Sequence, residues 1–198
     1  MYALIPDIKN KKIMSLGCGS GEDSSYLEKL GAEESVGIDI SSELIKIAKE
    51  SYPQCSFEVM DMEHSDFPDS NFGFVYSSLA IHYIENWTQV FKEVYRILMP
   101  NSYFLFSCGN PVKDATGGNY LERIKFPGSL SVPGKDGVTV WHKSFGEIAS
   151  EIKSSGFLIE QIVEPKPLKE LKSIPPETYK KLNKIPKFVI FRLLKLGN

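Results

Sequence analysis

Short apolar runs that alternate with amphipathic helical stretches predict an α/β protein built on a doubly wound, mostly parallel sheet. Two observations sharpen that expectation. A glycine cluster, Gly17-Cys18-Gly19-Ser20-Gly21, joins an apolar run to a helical one, and the next two strands end on acids, Asp39 and Asp61, about 22 residues apart. In a sheet of this kind ligands lie outside the carboxyl ends of the strands, so glycine, acid and acid at successive ends form a ligand-binding layout.

Each element has its own reason. Residues 12–16 read as a strand that ends in the glycine cluster, and residues 22–30 as a helix stopped by Gly31 at the left-handed C-terminal position. A second strand covers 35–39, and a second helix covers 41–52, capped by Ser41 and halted before Pro53. Alternation over 55–60 puts Cys55, Phe57 and Val59 on one strand face. The nearly unbroken apolar run 72–77 suits a strand covered on both sides. The spacing of Trp87, Val90, Phe91, Val94, Tyr95 and Leu98 predicts a helix with one apolar stripe, begun by Asn86 with Gln89 three residues on and ended by Pro100. A further helix over 145–155 carries Phe145, Ile148, Ala149 and Ile152 on one face, with Ser144 and Glu147 as a capping box and Gly156 closing it. Residues 103–107, 157–164 and 187–194 supply the remaining strands. The stretch 108–137, with several glycines and prolines, reads as a long loop at the ligand-binding edge. Such loops are functional or disordered filler. The functional reading is a substrate lid, with Tyr120 and Arg123 as contacts.

Composition narrows the function classes. The chain has 198 residues, 42% hydrophobic and 24% charged, which excludes disorder, collagen-like repeats and a coiled coil. Its length supports one core that buries roughly 70% of the unfolded surface without staples, so residues 1–198 are expected to form a single domain. A formal net charge of −2 gives no global basic signal, and no DNA or RNA partner is expected. Residues 166–198 hold nine Lys/Arg against two Asp/Glu, a balance of +7, read chiefly as a solvated connection before the last strand. Cys18, Cys55 and Cys108 show neither disulfide nor metal-ligand spacing, which points to a reducing, cytoplasmic setting and no metal. No run reaches the roughly 18 apolar residues of a membrane span, and the N-terminal apolar run is too short for a signal peptide. Oligomeric state leaves no trace in the sequence.

The chemistry of the strand ends selects among nucleoside ligands. Glycines allow a sharp turn and close approach of a ligand. An acid past the second strand suits both hydroxyls of a ribose, and Asp61 with Met62 suits a purine edge and face. A dinucleotide fingerprint needs a third glycine at position 22, where Glu22 stands, followed by Asp23. A pyrophosphate would meet two carboxylates there, whereas a ligand carrying ammonium and sulfonium charge would be favoured. S-adenosylmethionine is such a ligand. The same two acids would also suit the positive end of the helix dipole with no ligand present.

Ile13-Met14-Ser15-Leu16-Gly17-Cys18-Gly19-Ser20-Gly21 resembles the first motif of class I S-adenosylmethionine-dependent methyltransferases. Val36-Gly37-Ile38-Asp39-Ile40-Ser41 is similar to the acidic strand end that follows it, and Val59-Met60-Asp61-Met62 to the adenine-side motif. The segment from Phe74 to Tyr83 resembles the post-strand-four motif of the branch that methylates small molecules, as in ubiquinone and menaquinone biosynthesis. Arg96-Ile97-Leu98-Met99-Pro100-Asn101-Ser102 resembles the turn before strand five, where the family usually has a glycine pair. The resemblance covers residues 10–164, and the last strand also fits.

It implies a Rossmann-like sheet of seven strands, mostly parallel with the last antiparallel, and methyl transfer from S-adenosylmethionine to a small-molecule acceptor. Carried over by position, Gly17, Cys18 and Gly19 would contact the methionine moiety, and Asp39 the ribose with Ile40 against the adenine. Asp61 and Met62 would hold the adenine edge and face, and the Ser77 backbone would meet the amino-acid end. His82 is the first candidate for a general base and His142 the second, while Tyr83, Tyr120 and Trp141 would border the substrate. Each histidine could equally be a wall without proton transfer, and His64, in a polar turn, is read as solvated.

One departure concerns the N-terminus: the family commonly carries further helices before the first motif, which implies either an open site or a shortened chain. Two other functions stay open at this point. One is a non-catalytic cofactor-binding relative that acts as a partner subunit, and the other an NAD-dependent oxidoreductase.

Overall fold

The computed structural model describes residues 1–115, 120–123, 125–127, 138–167 and 176–197. A 3-10 turn, Tyr2–Leu4, precedes β1 (Lys12–Leu16), α1 (Glu22–Lys29), β2 (Glu34–Asp39), α2 (Ser42–Ser51), β3 (Ser56–Val59) and β4 (Phe72–Ser78). After a second 3-10 turn, Ile81–Tyr83, come α3 (Trp87–Ile97), β5 (Leu98–Gly109), the short α4 (Pro111–Asp114), β6 (Lys125–Pro127) and β7 (Thr139–Trp141). The chain continues through α5 (Phe145–Ser154), β8 (Leu158–Val163), α6 (Pro176–Lys184) and β9 (Phe188–Lys195).

Seven strands form one sheet in the order β3-β2-β1-β4-β5-β9-β8, with β9 antiparallel to both of its neighbours. The five strands from β3 to β5 pair in parallel. Winding reverses between β1 and β4, which opens a crevice at their carboxyl ends. The alternation of side chains along each strand serves two cores. Met14 and Leu16 join Phe104, Phe106 and the buried stripe of α3 and α5, whereas Ile13 joins Leu27, Phe74, Tyr76 and Leu105. Edge-to-face contacts of Trp87 with Phe91 and Phe106, at centroid separations of 6.2 and 6.3 Å, lock α3 onto β5.

The expected caps form. Ser41 accepts from the Leu44 amide at 3.3 Å, Asn86 from the Gln89 amide at 3.4 Å, and Ser144 with Glu147 builds the capping box. Several expectations need correction. The helix over 87–98 ends one residue early, and the strand expected over 103–107 already begins at Leu98, through Pro100. A residue before proline is held extended, and Leu98 pairs with Phe72, so the chain enters the sheet there. Val59 does not share the burial of Cys55 and Phe57 but is 54% exposed, because β3 is the sheet edge and α2 covers only part of it. The stretch read as a loop, 108–137, contains the end of β5, the turn α4 and β6, whose partner β7 follows just after it, and the stretch read as a solvated connection before the last strand contains α6; three-residue strands are too short to leave a periodic signal. The rest of the expected lid, residues 116–119, 124 and 128–137, lies outside the described residues.

One polar cluster fixes the connection that carries Met62. From α3, Glu93 accepts from the Ser65 amide at 3.0 Å and from the Ser65 hydroxyl, and Arg96 donates to Glu93, to Asp69 and to the Ser65 carbonyl. Burial pushes the Glu93 carboxyl up, but the bonds from Arg96 and Ser65 outweigh it and hold the group below its ordinary value. A depressed carboxylate stabilises the fold fully above its unfolded pKa and loses that contribution as pH falls through the folded value. Glu93→Gln should therefore cost about 1–3 kcal/mol at pH 7 and flatten the acid limb of the stability curve. Urea denaturation of both proteins from pH 7 down to about 3 checks this.

Candidate active site

The carboxyl ends of β1, β2 and β4 enclose a cavity of about 340 Å³, which lies in the range of small-molecule sites. Its floor is the glycine turn. Gly17 leaves β1 with φ +65°, and a Cβ there would stand 2.4 Å from the Ala80 Cβ and 3.2 Å from the Met62 methyl. Gly19 also has positive φ, +55°, but a Cβ there would meet nothing within 4 Å. Thus Gly17 is required by close packing as well as conformation, while Gly19 leaves its backbone bare toward open space. The Gly19 amide donates to Asp39 Oδ2 and the Ser41 amide to Oδ1, each at 2.9 Å, so one carboxylate joins the ends of β1 and β2. Cys18 lies between the two glycines. Burial and the nearby Asp39 push its thiol up to about 12, so it stays protonated at neutral pH.

Ile40, 63% exposed, and Leu44 stand beside Asp39 in the wall, with Met62 arriving from beyond β3. At the β4 end, Leu79 is held at φ +53° by its amide, which donates to the Ser107 carbonyl and hydroxyl at 3.1 and 3.2 Å. A left-handed leucine is strained, and here the strain turns Ser78, Leu79 and Ala80 into the cavity. Tyr83, Ile84 and Val138 line it as well, and burial raises the Tyr83 phenol so that it remains neutral. Glu22 and Asp23, in the first turn of α1, also stand in the wall; no Lys, Arg or His does so among the described residues. A dinucleotide pyrophosphate would face both acids, which removes the physical basis for the oxidoreductase alternative.

Of the residues singled out in the sequence, Gly17, Cys18, Gly19, Asp39, Ile40, Met62 and Tyr83 converge on this cavity. Others do not. Ser77 is fully buried and donates its hydroxyl to the Leu16 carbonyl at 2.9 Å, so the wall at that strand end is formed by the residues after it. Asp61 is exposed and accepts from the Glu63 amide at 2.9 Å, closing a local turn outside the cavity lining. His82, Trp141 and His142 line a separate space of about 10 Å³ with Trp87 and Lys143, room for one water at most.

The segments around Tyr120 and His142 are drawn to α5 rather than to the cavity. His142 Nε2 donates to the Tyr120 carbonyl at 3.1 Å, the Tyr120 hydroxyl accepts from the Phe145 amide at 2.9 Å, and Arg123 lies 3.5 Å from both Glu147 and Glu151. Lys143, itself buried, pairs with Glu151 at 2.6 Å. Sequence reading missed Leu44, Leu79, Ala80, Ile84 and Val138. Leu44 had a signal, since the third residue after a cap on Ser41 folds back over the strand end; the others depend on the turn after β4 and on β7.

A parallel sheet that reverses between β1 and β4, with a bare glycine turn and a carboxylate at the next strand end, defines a class I nucleoside-cofactor fold. The family described as methyltransferase domain matches residues 14–106, the part that carries all of these features except Val138. Two crystal structures align over almost the full chain. A protein of Listeria monocytogenes assigned as an S-adenosylmethionine-dependent methyltransferase shares 26% identity with a TM-score of 0.85, covering 99% of this chain and 95% of that one. An S-adenosylmethionine-dependent methyltransferase of Mesorhizobium loti shares 27% identity with a TM-score of 0.81, covering 97% and 94%. A fatty-acid O-methyltransferase of Mycolicibacterium smegmatis is 29% identical over 111 residues, 54% of this chain and 40% of that protein. Residues 14–106 carry a methyltransferase domain, and the chain has the fold of S-adenosylmethionine-dependent methyltransferases, which makes S-adenosylmethionine its cofactor.

Because Asp39 holds two amides and faces the cavity, its loss removes charged hydrogen bonds, each a matter of roughly 1.5–3 kcal/mol. Asp39→Ala should weaken S-adenosylhomocysteine binding by about 10–100-fold and lower the melting temperature. Calorimetric titration beside a thermal melt measures both, and wild-type affinity in the variant would remove Asp39 from the site.

Proposed function

We propose that the chain transfers a methyl group from S-adenosylmethionine to a small-molecule acceptor by in-line displacement. The observation that carries this reading is one cavity with a bare glycine turn and Asp39 at one end and an apolar wall of Leu79, Tyr83, Ile84 and Val138 elsewhere. The cradle at Gly19 and the anionic wall fit a ligand that bears positive charge.

Bound S-adenosylmethionine supplies a methyl group already activated on a sulfonium. The chain's own residues bind and orient. Gly17, Cys18 and Gly19 present backbone to the methionine moiety, Asp39 accepts the ribose hydroxyls, and Ile40, Leu44 and Met62 flank the adenine. Ser78 to Ala80 take the place expected of Ser77, and Tyr83 borders the acceptor. Holding two reactants in line can lower a barrier by roughly 7–11 kcal/mol, so positioning supplies the main catalytic term. His82 adjoins Tyr83, with ring centroids 4.4 Å apart, and lines the small space beside Trp87 rather than the cavity. The smegmatis relative's name, a fatty-acid O-methyltransferase, favours a small organic acceptor here as well. Among the described residues no helix is long and apolar enough to cross a membrane. The overall charge of −2 favours neither DNA nor RNA as acceptor.

S-adenosylhomocysteine at 100 times its dissociation constant should stabilise the protein by about 2.7 kcal/mol, a rise of roughly 5–10 °C in melting temperature. NAD at the same concentration should leave the melt unchanged. Incubation with S-adenosylmethionine and a pool of small carboxylic acids and amines should release S-adenosylhomocysteine; stabilisation without release would identify a binding-only relative.

A further inference from the structure

The first residues of the chain reach the cavity wall through a single side chain. The Tyr2 hydroxyl donates to Asp23 Oδ1 at 2.7 Å, and the Tyr76 hydroxyl approaches the same oxygen at 3.5 Å. Among the described residues, Asp23 Oδ2 receives no hydrogen bond, and Asp23 lines the cavity. Two phenols on one oxygen therefore fix the carboxylate's rotation and leave its other oxygen for a cation. We propose that Tyr2 is a positioning residue that acts through Asp23 to bind the ammonium group of the cofactor; this rests on the methyltransferase reading.

Packing holds Tyr2 where that role needs it. Its ring stacks on Tyr26, one turn along α1 from Asp23, with centroids 4.1 Å apart and planes at 25°, and lies 6.4 Å from the Tyr76 ring. Met1, Leu4 and Ile5 pack against the core face that contains Ile13, Leu27 and Tyr76. From β9, Arg192 donates to the Leu4 carbonyl at 3.1 Å while its guanidinium is paired with Glu160. The turn Tyr2–Leu4 is thus tied to the sheet at one end and to α1 at the other. Burial and the Asp23 carboxylate push the Tyr2 phenol up to about 12, so it stays a donor across the neutral range. A neutral phenol beside a carboxylate orients the negative charge without cancelling it, and the acids Glu22, Asp23 and Asp39, with no cationic side chain in the wall among the described residues, favour an ammonium over an anion.

The test compares two ligands, S-adenosylhomocysteine and its deamino analogue, by calorimetric titration. Tyr2→Phe keeps the stacked ring and removes only the hydroxyl. It should weaken S-adenosylhomocysteine about 5–20-fold and leave the deamino analogue unchanged. Adding Tyr2→Phe to Asp23→Asn should cause no further loss, because a residue acting through another is not additive with it. Equal weakening of both ligands, unchanged binding of S-adenosylhomocysteine, or additive losses in the double variant would each overturn the proposal while leaving the methyltransferase reading intact. A wild-type protein that binds no S-adenosylhomocysteine would overturn that reading itself, and this proposal with it.

Discussion

Asp39 extends the pairing of β1 and β2 beyond their last residues, Leu16 and Asp39, into the segments that follow. Its oxygens take the amides of Gly19 and Ser41, so the turn after β1 and the start of α2 move together or not at all. The turn can adopt that position only because Gly17 carries no Cβ to collide with Ala80, which in turn is presented by the strained Leu79. Three strands thus converge on one glycine turn, and the cavity is what the convergence leaves over. A backbone shift at any of the three would propagate, because the sheet behind them is packed on both faces.

Charge around this cavity is arranged on one side. Glu22, Asp23 and Asp39 face it, while Lys143 pairs with Glu151, Arg123 with Glu147 and Glu151, and Arg96 with Glu93 and Asp69. A low-dielectric cleft lined by one sign of charge concentrates ions of the other. The site therefore selects for a cationic nucleoside ligand before any specific contact is made. The polar network on α3 has a structural part in this selection, since it anchors Ser65 and thereby the turn that brings Met62 into the wall.

Much of the site was legible because its signals are local. A glycine cluster after an apolar run, an acid after the next, and an acid pair opening a helix are all readable within a few residues, and the parallel sheet follows from the alternation of elements. The differences share a cause. The expectation for Ser77 concerns its backbone and that for Asp61 its carboxylate, and the pleat and local turns decide what lines the cavity: Ser78 to Ala80 form the wall past β4, while Asp61 closes a turn with Glu63. His82 and His142 are candidates by type and by position, after strand four and after Trp141, and the residues around the small space they share, Trp87 and Ile148 among them, decide what they face.

By itself, the sequence determined the order of the elements from β1 to β5, the caps that start α2, α3 and α5, the glycine turn and the sign of charge beside it. Those depend on hydrogen bonds and dihedral preferences that span four residues or fewer. Only the tertiary structure decided that β9 inserts between β5 and β8, that Ala80 meets Gly17, that the Tyr120 hydroxyl meets the start of α5 at Phe145, and that Tyr2 reaches Asp23. Each of these joins residues more than twenty apart, where the outcome rests on which packed surfaces exclude water together rather than on any property of a single segment.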